Sequence, residues 1–193
     1  MAILTLPPNI QTFQPIGTAN NILHSSSDEM IKLDEIILSA SAASITLTPP
    51  TSGYTHLKVC FTGSSNYTTG VWNVRIQFNN DTTANYYNEM LYSTGTSEDA
   101  VEQLAYNYVT LIDIGYLPPT NYPVSCQIFI PNYLSTIFAK CVITRIVAIY
   151  SSLIDGIIGS LYNNTSAINS ILLFPSAGDF VAGTVATLYG IID

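Results

Sequence analysis

Alternation of apolar and polar residues dominates this chain. Residues 54–61 put Thr55, Leu57, Val59 and Phe61 on one face, and Tyr54, His56, Lys58 and Cys60 on the other. Residues 71–78 repeat the pattern, with Trp72, Val74, Ile76 and Phe78 inward and Asn73, Arg75 and Gln77 outward. A period of two marks an antiparallel strand with one covered face. The link between them is rich in Gly, Ser and Asn and suits a hairpin loop. Similar reasoning predicts strands at 29–38, 44–48, 86–92, 109–117, 124–130, 137–150, 167–174 and 184–192. Pro49-Pro50, Pro118-Pro119 and Pro131 each stop one of them. The run 137–150 is long and β-branched and is expected at the centre of a sheet. Residues 96–106 fit a short helix instead. Thr96 can cap it, Glu98 and Asp99 favour its positive end, and Val101, Leu104 and Ala105 form an apolar stripe.

The last pattern, TVATLYGII at 184–192, follows Gly178-Asp179-Phe180 and Gly183. Its apolar residues need a sheet to cover them, so it is expected to close the fold. Many short strands spaced by Pro, Gly and Asn, with at most one short helix, predict an all-β protein. The expected architecture is an antiparallel two-sheet sandwich, jelly-roll-like, over residues 29–193. Burial between the sheets would hold it, at about 25 cal/mol per Å² of apolar area. No internal repeat or heptad run suggests a fibrous shaft.

Residues 1–28 read as an extended N-terminal arm. They hold Pro7, Pro8, Pro15 and several Asn and Ser residues, with apolar side chains but no sustained period. Such an arm packs on its own domain or on a neighbouring subunit. Ile3, Leu4, Leu6, Ile10, Phe13 and Ile16 are the candidate partner-binding residues.

Composition sharpens this picture. Charged residues make up 9% of the 193, against about 25% in an average domain. Tyr, Thr, Ser and Asn replace them, and Tyr alone counts 13. A neutral, hydrogen-bonding surface suits a chain pressed against other chains, because a hydroxyl or amide is cheaper to bury than a charge. The net charge is −8, and the five bases (Lys32, Lys58, Arg75, Lys140, Arg145) are scattered. Nucleic-acid binding needs clustered bases, so it is not expected. No basic segment precedes an apolar core at the start, so no signal peptide is expected, and 137–150 is too short and too charged to span a bilayer. Cys60, Cys126 and Cys141 sit in apolar runs without CxxC spacing and read as three buried small hydrophobes.

Candidate chemistry is sparse. No phosphate loop, HExxH or GxSxG occurs. His24 and His56 lack a neighbouring nucleophile. Asp28, Glu29, Asp34 and Glu35 form one carboxylate cluster, and Glu98, Asp99 and Glu102 another. Paired carboxylates can hydrolyse sugars, but solvation or helix capping accounts for these. Tyr67, Trp72, Asn73, Tyr86 and Tyr87 are the residues that suit sugar stacking, although Trp72 lies on an apolar face. Asp81, beside Asn79, Asn80 and Thr82, invites a calcium reading, but one carboxylate is too few and turn chemistry fits better. No enzymatic activity, cofactor or metal is expected.

Four segments carry a family resemblance: IQFNNDTTANYY (76–87), IFIPNYLST (128–136), AINSILLF (167–174) and GDFVAGTVATLYGI (178–191). In kind, order and spacing they resemble small β-sandwich virion proteins of tailed bacteriophages, including head decoration (cement) proteins. The resemblance implies a jelly-roll-like sandwich on the phage head surface, assembled in the host cytoplasm. It also implies two partners, the major capsid protein and the chain itself as a homotrimer. The alternative is a receptor-binding or tail-tip module that recognises host surface glycan. No active site is carried over, because the matching positions look structural.

Overall fold

A computed structural model describes residues 29–69, 72–111, 123–149 and 153–192. The arm, 1–28, lies outside them. The described chain forms twelve strands: β1 (Glu29–Ile37), β2 (Ile45–Leu47), β3 (His56–Gly63), β4 (Val74–Phe78), β5 (Tyr86–Thr94), β6 (Glu98–Tyr106), β7 (Val109–Thr110), β8 (Val124–Ile130), β9 (Lys140–Ile149), β10 (Leu153–Tyr162), β11 (Ile171–Pro175) and β12 (Val185–Ile192).

The pairing is nested. β5 pairs with β6, β4 with β7, β3 with β8, β2 with β11 and β1 with β12, all antiparallel. Successive pairs alternate between an eight-stranded sheet, β1-β12-β3-β8-β9-β10-β5-β6, and a four-stranded sheet, β2-β11-β4-β7. One long hairpin rolled across two sheets in this way is a jelly roll. The β9–β10 hairpin is an addition to it. It fills the large sheet between β8 and β5.

The core lies between the sheets. Leu57, Val59 and Phe61 of β3, Ile76 and Phe78 of β4, Val142 and Ile146 of β9, Ile158 of β10 and Leu188 of β12 are all buried. Aromatic rings bridge the layers: Phe78 of the small sheet lies 5.4 Å from Tyr162 and 6.3 Å from Tyr86 of the large one. Trp72 is buried as its strand pattern requires. The strand 124–130 is as expected, and 184–192 is too: β12 lies between β1 and β3.

The turns explain several strand limits. Asn79 and Asn80 take positive φ (56° and 53°) at the end of β4. The Asn79 amide donates to Ala167 O (2.9 Å), and its Oδ1 accepts from Asn169 N (2.8 Å). This side chain holds 167–169 in place of a strand ladder, so β11 starts at Ile171 rather than 167. Likewise Ser135 Oγ accepts from the Ile137 and Phe138 amides (3.2 Å each), and β9 starts only at Lys140. After Pro131, Asn132 adopts φ 47°, and the buried Tyr133 hydroxyl donates to Pro50 O at 2.6 Å. Gly178 has φ 69°, and a Cβ there would lie 2.5 Å from Asn66 Oδ1, so the approach to β12 needs glycine.

The structure corrects four expectations. Residues 96–106 are not a helix. Thr94 N donates to Ser97 O at 2.8 Å with Gly95 at φ 78°, closing a hairpin that lays β6 along β5. Nine residues beside a ready strand edge gain a ladder that outweighs weak helix propensity. Leu104 of the supposed apolar stripe is 58% exposed. Second, 153–162 is a strand where none was expected. Third, Asn73 and Gln77 do not face solvent: both are buried, and Gln77 Nε2 donates to Asn107 O at 2.8 Å. Fourth, only Cys126 is buried; Cys60 is half-buried and Cys141 exposed, because each lies on the outer face of its strand. Burial raises the Cys126 thiol pKa well above its ordinary value. Of the strand expected at 109–117, β7 covers Val109–Thr110 and Leu111 is buried; 112–117 lie outside the described residues.

Leu188→Ala tests whether β12 closes the sandwich. Truncating a fully buried side chain in a central strand should cost about 2–5 kcal/mol in denaturant unfolding, while Ile37→Ala, at an exposed position on the edge strand, should cost under about 1 kcal/mol.

Candidate interaction surface

The small sheet covers one face of the large one; among the described residues the other face is left open. On β9, Val142, Ile146 and Ala148 point to the core while Ile143, Arg145, Val147 and Ile149 point out. On β10, Ile154 and Ile158 point in and Leu153, Asp155 and Ile157 point out. On β5 the outward set includes Glu89, Leu91 and Ser93.

Register assembles these into rows. Leu91 pairs with Ile157, which pairs with Arg145, and that with Gln127 and then Cys60. The row beside it runs Glu89, Gly159, Ile143, Phe129, Lys58. A third runs Ser93, Asp155, Val147, Ser125, Thr62. Leu91 is 60% exposed, Leu153 55%, Ile143 53% and Ile157 48%. A contiguous patch of large exposed side chains marks a contact surface, whereas scattered ones do not. Its central charges cancel: Arg145 Nη2 donates to Asp155 Oδ2 at 2.6 Å. Beside this pair lies an open hollow of about 490 Å³ lined by Leu91, Tyr92, Glu98, Asp99 and Ile157. Tyr92 OH donates to Asp99 Oδ2 across it at 3.3 Å. The face offers apolar contact around a neutral ion pair.

The chemistry candidates resolve into structural roles. Asp81 anchors a turn. Its Oδ1 accepts from the Thr83 amide (2.9 Å) and hydroxyl, and its Oδ2 from Asn85 (3.1 Å), Tyr162 (3.0 Å) and Asn164 (3.4 Å). Burial alone would raise the Asp81 pKa, but donors from Thr83, Asn85 and Tyr162 outweigh it and hold the carboxyl well below its ordinary range. Among the described residues no group of three His, Cys, Asp or Glu side chains is placed to hold a metal. His56 Nδ1 accepts from Asn132 N at 3.0 Å and so caps the Pro131 turn. Glu98, Asp99 and Glu102 lie along the edge strand β6 and, with no helix there, cap none. Of the sugar-stacking candidates, Trp72, Asn73 and Tyr86 are buried, Tyr67 packs partly against the core and Tyr87 is half-buried. Lys140 is buried at β9's start, where its Nζ donates to Phe138 O (3.0 Å) and Thr165 O (3.2 Å) and ties two loops together. Burial lowers its pKa.

The six candidate partner-binding residues, Ile3, Leu4, Leu6, Ile10, Phe13 and Ile16, lie outside the described residues, as do His24 and Asp28. The outer-face residues were not singled out from the sequence. Their signal is visible in 140–149, where both alternating sets carry large apolar residues. Comparisons with family models, with curated proteins and with solved structures found no match.

Asp81→Asn should cost about 2–3 kcal/mol, the scale of lost hydrogen bonds to a charged acceptor. Because folding depresses this pKa, the carboxylate stabilises the fold above about pH 4 and loses that contribution as pH falls below it. Unfolding measured between pH 6 and pH 2 should show a gap between wild type and Asp81→Asn that narrows towards acid.

Proposed function

We propose that this protein is a structural component of a tailed-phage virion, a capsid decoration protein that binds across joints between major capsid subunits and stabilises the head. One observation carries the proposal: among the described residues a core closed between two sheets is accompanied by a broad outer sheet face of apolar side chains around a neutralised ion pair. A chain with 9% charged residues and such a face suits life among other protein surfaces. The segments that resemble virion proteins support it as well. In the fold they are the Asn79–Asp81 turn, the Pro131 turn, the approach to β11 and the closing strand, which are the pieces that set the architecture. In this reading the apolar arm residues Ile3 to Ile16 reach across a joint and contact the capsid subunit.

Copy number on the particle tests the role. A head decoration protein is repeated with the capsid lattice and so is present in hundreds of copies; a few to tens would place it on the tail and favour glycan recognition. Deleting residues 1–27 should leave a folded domain that no longer coats heads. Normal coating by the truncated chain would remove the arm from the proposal.

A further inference from the structure

The outer face of the large sheet has a property that apolarity alone does not give: it is complementary to itself. The central row runs Glu89 (β5), Gly159 (β10), Ile143 (β9), Phe129 (β8), Lys58 (β3), residue paired with residue. It begins with an acid and ends with a base, and the largest ring and the absent side chain stand equally far from its middle. Place a second copy face to face, turned by 180° about an axis along β9. The strand order reverses, and each row falls on its own copy. Ile143 then meets Ile143, Phe129 lies over Gly159 and Lys58 lies over Glu89. A Cβ at Gly159 would meet nothing within 4 Å, so the position is an open seat. Among the described residues neither Glu89 nor Lys58 has an ion-pair partner within its own chain. Glu89 also pairs directly with Glu102, a like-charge placement that costs energy until a cation approaches.

The neighbouring rows agree. Arg145 falls near its own copy, but each guanidinium carries Asp155 as counter-ion at 2.6 Å. In the third row Val147 meets Val147. The size fits too. Five strands about 4.8 Å apart, each giving about eight residues at about 3.3 Å, cover roughly 600 Å² in projection, near the ~800 Å² that each partner contributes to a standard interface. Two sheets of this kind stack about 10 Å apart with strands within about 30° of parallel.

We propose that this face, β3-β8-β9-β10-β5, is an isologous interface with a second copy of the same chain, giving a twofold dimer. The proposal does not rest on the virion role: it gives this face to a second copy and leaves a capsid contact to the arm residues Ile3 to Ile16. It assigns twofold rather than threefold symmetry to the contact.

The test uses the full chain. Light scattering or sedimentation at tens of micromolar should give twice the 21.0 kDa chain mass. Glu89→Lys and Lys58→Glu should each weaken the dimer at least about tenfold, through like charges brought together, and the double swap should restore most of the affinity because it rebuilds the pair in reverse. Gly159→Val fills the seat of Phe129, and its Cβ meets nothing of its own chain within 4 Å. It should weaken the dimer by a similar factor without destabilising the monomer, since valine suits a strand better than glycine. A monomer at these concentrations overturns the proposal, as does a trimer, or a dimer indifferent to all three positions. A wild-type monomer whose face variants fail to coat heads would give the surface to a capsid subunit and overturn it equally.

Discussion

The rest of this structure depends on the pairing of distant strands around the β5–β6 hairpin. Each further pair is separated by more chain: β4 with β7, β3 with β8, β2 with β11, β1 with β12. Closing such long loops costs chain entropy that grows slowly with length, and what offsets it is apolar burial between two layers. Alternate pairs fall in alternate sheets, so no pair can bury its face until its neighbours arrive. The core is therefore cooperative: Phe78 of the small sheet needs Tyr86 and Tyr162 of the large one, and Tyr162 in turn holds the Asp81 turn. Proteins built from such nonlocal pairs fold slowly relative to helical ones.

The inserted β9–β10 hairpin changes what the jelly roll presents. It widens one sheet to eight strands while the other stays at four. The added strands keep their inner residues in the core, but their outer residues extend a surface that the small sheet never reaches. Sequence cost follows geometry here. Ile143, Val147 and Ile149 on β9, with Leu153 and Ile157 on β10, spend apolar side chains on a solvent face. Strands apolar on both faces belong where both faces are covered, and among the described residues only the inner face is covered.

That imbalance also explains what was legible in the sequence. Strands with one polar face, such as 54–61 and 124–130, are legible by their alternation. The segment 137–150 reads as central, and β9 is; that its second apolar set faces outward shows only once the sheet order is known. β10 went unread because Gly156 and Gly159 interrupt its pattern, and glycine carries no polarity signal. Residues 96–106 read as a helix because Val101, Leu104 and Ala105 share one helix face, whereas in the edge strand Val101 and Leu104 fall on opposite faces. Only the neighbouring β5 decides between them, and a neighbour in space is not written in local spacing. Asn79, Asp81 and Asn132 were readable as turn residues, since their short polar side chains bond to nearby backbone wherever they lie. Their long-range grip, Asn79 on 167–169 for instance, required the fold.

Charge placement separates this outer face from an aggregation hazard. A flat apolar sheet invites any sheet to stack on it. Here Glu98 and Glu102 line the β6 edge, and Asp34 and Glu35 lie on β1 at the other edge. In a chain of net charge −8, these edges repel indiscriminate approach from the side. The centre holds one neutralised pair and, in one row, an acid and a base at opposite ends. A partner gains from the apolar middle only if its own charges arrive in the opposite order. Specificity thus comes from what the wrong orientation would set against each other, Glu89 on Glu89 and Lys58 on Lys58, more than from the apolar contacts that any orientation would make.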